Sequence, residues 1–93
     1  MSLPPLELLE TSHEFPGLYM IKVIGKPDNR FVGRVVDAIR EEIQAESSPT
    51  YDLKFSTSGK HLSITIEPHF QSAQQVLDVY ARLQETEGLI LLL

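Results

Sequence analysis

Residues 51–67 read Tyr51-Asp-Leu-Lys-Phe-Ser-Thr-Ser-Gly59-Lys-His-Leu-Ser-Ile-Thr-Ile-Glu67. Two runs in this stretch alternate with period two. Tyr51, Leu53 and Phe55 stand opposite Asp52, Lys54 and Ser56; Leu62, Ile64 and Ile66 stand opposite His61, Ser63, Thr65 and Glu67. Such alternation marks a strand with one face on a core and the other in water, so Tyr51 and Phe55 are expected to point inward. Between the runs, Ser56-Thr57-Ser58-Gly59-Lys60 carries turn chemistry: Gly59 supplies a positive φ, and the serine hydroxyls satisfy nearby backbone groups. A β-hairpin therefore sits in the middle of the chain.

Upstream of it the period changes. Val32, Val35, Val36, Ile39 and Ile43 recur at helical spacing within Phe31 to Ile43, with Asp28 placed to cap the first turn and Glu46-Ser-Ser-Pro49 to end the helix. Leu18 to Ile24 precedes it, apolar on both faces as a central strand would be. Downstream, Ala73, Val76, Leu77, Tyr80 and Leu83 form a second helical stripe, and Ser72 with Gln75 resembles a capping box. Leu89 to Leu93 reads as a last strand. The order β-α-β-β-α-β predicts an α+β, ferredoxin-like sandwich: a four-stranded antiparallel sheet of order 4-1-3-2 with both helices on one face. Residues 15–93 form that single domain, and residues 1–14 are an N-terminal lead segment in which Pro4-Pro5 precedes a short helical turn.

Composition narrows the function. The net charge is −5, from 8 Lys and Arg against 13 Asp and Glu. A nucleic-acid binder gains affinity from a basic stripe, and an RNA-binding sheet of this topology stacks bases on aromatic side chains. Here the open face offers Ser63 and Thr65, so no nucleic-acid partner is expected. With no cysteine, disulfides, thiolate catalysis and cysteine-held metals are excluded. The first residues lack a charged, uninterrupted apolar leader, and no apolar run approaches the roughly 20 residues of a membrane span. A soluble cytoplasmic protein with no membrane partner is the expectation.

Catalytic signals are equally sparse. His13, His61 and His69 show no metal-ligand spacing. No glycine-framed nucleophile elbow is present. These features predict no enzyme, no cofactor and no metal. The rival reading is a small phosphate- or acyl-ester hydrolase built on the first strand–helix loop, Gly25-Lys26-Pro27-Asp28. Only one glycine stands there, and Pro27 removes an amide donor. The same loop is a candidate effector site: Gly25 lets the backbone turn closely, and Lys26 and Arg30 would meet a carboxylate at the helix end. Arg34 extends this basic group, although pairing with Asp37 and Glu41 explains it as a solvated face. The hairpin tip, with Ser56, Ser58, Gly59 and Lys60, is a second candidate contact, which turn chemistry also accounts for. Leu89, Ile90, Leu91, Leu92 and Leu93 are apolar at every position where an edge strand should alternate. Either a second subunit covers them, giving a homodimer, or Leu6, Leu8 and Leu9 of the lead segment fold over them.

Phe15-Pro16, Lys22-Val23-Ile24-Gly25, the stretch from Ser56 to Thr65, and Val76, Tyr80 and Leu83 together resemble the YbeD-like family of small bacterial proteins. The similarity runs from about Leu6 to Leu93, and from Gly59 onward the spacing needs no gap. The resemblance implies a ferredoxin-like fold, no established activity and no catalytic residue. By analogy with the amino-acid-sensing ACT-type regulatory domains, it also implies a regulatory or adaptor module that binds a protein partner or a small anionic or amino-acid effector. The chain departs from the family pattern at His61, where an aromatic residue is usual, and at Ser58, where Lys is common. Its lead segment is also a few residues longer.

Overall fold

The computed structural model of the chain describes residues 4–93. Its elements run α1 (Leu6–Ser12), β1 (Gly17–Leu18), β2 (Ile21–Gly25), α2 (Asn29–Glu42), β3 (Tyr51–Phe55), β4 (Leu62–Ile66), β5 (His69–Phe70), α3 (Ala73–Gln84) and β6 (Leu89–Leu92). The chain is α+β. Four strands form one antiparallel sheet of order β3-β4-β2-β6, and β1 pairs with β5 as a separate two-stranded ribbon. The run from Leu18 to Ile24 is thus two strands rather than one, because the chain leaves the main sheet before Ile21 so that Gly17 and Leu18 can pair with Phe70 and His69.

Local chemistry sets the helix starts. The Asp28 carboxylate accepts from the Arg30 amide at 2.8 Å, and the Ser72 hydroxyl accepts from the Gln75 amide at 3.2 Å. Gln75 reaches back as a capping-box partner would, but its side chain accepts from the Gln71 amide, one residue before the cap. The end of α2 is less obvious. It stops at Glu42, with Gln44 at φ 56° and the Ala45 and Gln44 amides donating to the Arg40 and Glu41 carbonyls. This is a Schellman cap with glutamine at the position usually held by glycine. The Glu46-Ser-Ser-Pro49 cluster lies beyond it.

One core fills the space between the sheet and the helices. The register places Ile21 and Val23 of β2 on the same face as Ile66 and Ile64 of β4. These residues share a single buried cluster with the stripes of α2 (Val32, Val35, Val36, Ile39) and α3 (Ala73, Val76, Val79, Tyr80, Leu83). Phe31, one turn before Val35 at the edge of the α2 stripe, is also fully buried. Its ring lies against Gly25 and Gly88, where an added Cβ at either glycine would intrude on ring atoms. Leu9 of α1 joins the same core, and Leu6 packs against it. The lead segment therefore lies against the helical layer, and Ile90, Leu91 and Leu93 stay exposed at 48%, 41% and 57%.

The hairpin departs from expectation in one respect. Tyr51, Leu53 and Phe55 pair with Ile66, Ile64 and Leu62, so they do sit on the helix side of the sheet. They are nonetheless 42%, 42% and 56% exposed, whereas their partners on β4 are buried. β3 is an edge strand, and the two helices cover the sheet only as far as β4. Facing the helical side and being buried by it are different things here.

Candidate functional site

The loop from β2 to α2 is tightly bonded within the chain. The Lys26 amide donates to the Gly88 carbonyl at 3.0 Å, the Arg30 amide is taken by Asp28, and the Phe31 ring fills the space above Gly25. The Lys26 and Arg30 side chains are exposed beside it. Arg34 is drawn away toward Glu87, at 4.0 Å from its carboxylate and 3.4 Å from its carbonyl oxygen. Asp37 and Glu41 pair with Arg40, and Arg82 bridges α3 to Glu41 and Glu42. All of these pairs are solvated, a setting in which each contributes at most about 1 kcal/mol.

The hairpin tip folds as its residues dictate. Gly59 adopts φ 73°, and its amide donates to the Ser56 carbonyl at 2.9 Å. The Ser56 hydroxyl accepts from the His61 amide at 3.0 Å, and the Ser58 hydroxyl accepts from the Lys60 amide at 3.4 Å. The serines are thereby committed to holding the turn.

Beside that tip, the face of the sheet away from the helices forms a shallow basin of about 310 Å³. It is lined by Lys22 and Ile24 from β2, Lys54 and Phe55 from β3, Ser56 and His61 from the turn, and Ser63 from β4. The register explains the convergence. Ile24 lies opposite Ser63, and Ser63 opposite Lys54, so three strands deliver one row. The basin has two lysines, a histidine and hydroxyls, and no carboxylate lines it. Of these residues the sequence offers only Ser56, as a hairpin-tip contact; Lys22, Lys54 and His61 are not among its candidate site residues. The signal lay in the cross-strand register, which spans residues 22 to 63.

Two further features bear on chemistry. His13 packs edge-on against Tyr19 with ring centroids 4.7 Å apart, and Tyr19 meets Phe70 and Tyr80 in the same edge-on manner. The Tyr19 and Tyr80 hydroxyls lie 3.1 Å apart. Burial, reinforced by that hydrogen bond, pushes the Tyr80 phenol well above its ordinary value of 10.0. The folded state therefore favours the neutral phenol, and its stabilising contribution is complete below pH 10 and is lost as pH rises further. Urea midpoints are expected to fall between about pH 10 and 11, and the fall to be shallower in Tyr80→Phe. Equal slopes in the two proteins would refute this. Among the described residues, no group of three or more His, Asp or Glu side chains is placed to hold a metal ion, and no helix is long and apolar enough to cross a membrane.

Comparison with known proteins adds the family. Residues 10–93 match the family model described as "Protein of unknown function (DUF493)". Relatives named UPF0250 protein occur in Shewanella sediminis, 35% identical over 75 residues that make up 81% of this chain and 83% of the relative. The UPF0250 protein of Shewanella woodyi is 33% identical over the same share of each chain. With the fold, the hairpin and this match in agreement, the chain belongs to the DUF493, YbeD-like family of small bacterial proteins of unknown function.

Proposed function

We propose that this protein is a regulatory or adaptor module, not an enzyme, and that it recognises a small carboxylate effector on the open face of its sheet. The observation that carries the reading is the charge of the basin. Lys22, Lys54 and His61 gather there without a lining carboxylate, in a chain whose net charge is −5. Such segregation favours an anion locally, and Ile24 supplies apolar surface for its carbon skeleton. We place the effector here in preference to the Gly25–Arg30 loop, whose amides already bond within the chain. The architecture supports the analogy with ACT-type sensors. Counting only β2, β3, β4 and β6, the sheet order reads 4-1-3-2, the ferredoxin-like arrangement. A cytoplasmic setting, where amino acids and organic acids are abundant, suits the reading.

Thermal shift against amino acids and organic acids tests it. A ligand present at about 100 times its Kd stabilises the fold by about 2.7 kcal/mol, which in a domain of this size is a rise of many degrees. The rise is expected for at least one carboxylate at millimolar concentration and is expected to vanish in Lys22→Glu and His61→Ala. A flat response across the panel, or turnover of phosphate or acyl esters, would overturn the proposal.

A further inference from the structure

Among the described residues the outer edge of β3 has no strand partner, because β3 is paired there only with β4. Its sequence, Tyr51-Asp52-Leu53-Lys54-Phe55, is self-complementary about Leu53: an aromatic residue at each end, then an acid on one side and a base on the other. We propose that β3 is a self-recognition edge, across which two copies of this chain pair antiparallel into one continuous sheet. The partner is a second copy, and the interface is a two-fold centred on Leu53.

Three independent features fit that register. The first is backbone direction. The Ser56 amide donates to the His61 carbonyl, and these residues are opposite one another in the β3–β4 register. Hydrogen-bonded pairs alternate along an antiparallel ladder, so Lys54 and Asp52 also turn their amides and carbonyls toward β4. The amides and carbonyls of Tyr51, Leu53 and Phe55 consequently point out of the sheet. A two-fold at Leu53 lets Leu53 bond reciprocally with its copy, and Tyr51 with the copy's Phe55.

The second feature is charge. In that register Asp52 lies opposite the copy's Lys54, and Lys54 opposite the copy's Asp52. Both fall at non-hydrogen-bonded positions, where facing side chains come closest. Within the chain, Asp52 and Lys54 face only Thr65 and Ser63 on β4, so neither has an opposite charge directly across the ladder. The third feature is the uncovered apolar row. Tyr51, Leu53 and Phe55 are each more than 40% exposed on the helix side. A two-fold perpendicular to the sheet brings the two rows together between the two helical layers. The other exposed edge, β6, offers Leu89-Ile-Leu-Leu92 with no charged side chain to fix a register or to exclude a wrong one.

An interface of one short strand and its side chains lies at the small end of protein association, so a micromolar equilibrium is expected. Sedimentation velocity on the full chain from about 1 µM to about 500 µM reads it directly. Wild type is expected to pass from monomer to dimer over that range. Asp52→Lys and Lys54→Asp each create two like-charge pairs and are expected to weaken association about tenfold or more. An equimolar mixture of the two variants is expected to re-associate as a heterodimer. The double exchange Asp52→Lys/Lys54→Asp rebuilds the complementary pattern with its polarity reversed and is expected to dimerise like wild type. A variant that failed to fold would not regain a partner on mixing, so the mixture separates interface from stability. A wild type monomeric throughout, single variants that dimerise undiminished, or a mixture that stays monomeric would each overturn the proposal. So would an association that survives both reversals and is lost in Leu91→Asp, which would move the interface to β6. Lys54 also lines the effector basin, so the two tests are kept apart by residue: the effector is read with Lys22→Glu and His61→Ala, which lie off β3, and the pairing with Asp52→Lys, which lies outside the basin lining.

Discussion

Replacing Phe31 with Ala is expected to destabilise the domain by about 3–5 kcal/mol, the usual loss when a fully buried aromatic side chain is removed from a core. Domains of this size are stable by only about 5–15 kcal/mol, so the variant should melt at least about 12 °C lower or fail to fold. The ring is completely buried and does more than fill volume. It sits on the first turn of α2 and touches Gly25 at the end of β2 and Gly88 just before β6. One side chain thereby fixes the junctions of three elements. The companion change, Gly25→Ala, would drive its new Cβ into the ring and to within 2.8 Å of the Gly88 carbonyl oxygen. Overpacking of this kind costs about 1–3 kcal/mol. In the Phe31→Ala background the ring is gone, so Gly25→Ala should cost less there than in wild type. Additive losses in urea melts of the four proteins would show that the ring and the glycine act independently, contrary to this account.

Leu9→Ala is the second change with a large expected effect. Leu9 is 3% exposed and belongs to the common core, while Leu8 beside it is 55% exposed. A buried leucine truncated to alanine loses about 2–5 kcal/mol. α1 is only seven residues long, its N-cap Pro5 makes no side-chain cap bond, and such a helix is marginal without tertiary contacts. The loss should therefore appear as undocking of α1 rather than global unfolding. Amide exchange within residues 6–12 should accelerate strongly, with a smaller change in β2 and β4. Leu8→Ala should stay within about 0.5 kcal/mol of wild type. Equal behaviour of the two variants would mean that the lead segment does not depend on its contact with the core.

Features that act within a few residues were readable from the sequence. Asp28 and Ser72 cap the helices they precede, and Gly59 with its serines builds the turn, because each bonds to neighbours a few positions away. The order of elements was readable for the same reason, since hydrophobic periodicity is local. What the sequence hid depended on distant partners. Alternation showed that Tyr51, Leu53 and Phe55 share a face, but not that the helices stop short of it. Phe31 stands one turn before Val35 at the edge of the apolar stripe, but the space it fills is made by two glycines 63 positions apart, residues 25 and 88. The stop at Gln44 escaped notice because a Schellman cap is usually announced by glycine. The candidate site followed the same rule. The Gly25–Arg30 loop was visible as a loop, whereas the basin of Lys22, Lys54 and His61 exists only once three strands are in register.

The placement of the tyrosines has a spectroscopic consequence. The chain has three tyrosines and no tryptophan, so no indole collects their excitation. Tyr19 and Tyr80 share a hydrogen bond between their hydroxyls beside the core, and Tyr51 stands on the free edge of β3. The emission of the native protein therefore divides between an enclosed pair and a solvated single ring. With Tyr51→Phe the remaining signal belongs to the pair and follows unfolding; with Tyr19→Phe/Tyr80→Phe it belongs to the edge and follows whatever docks there. Core integrity and edge occupancy can thus be monitored optically, by the chain's own side chains, without an attached dye.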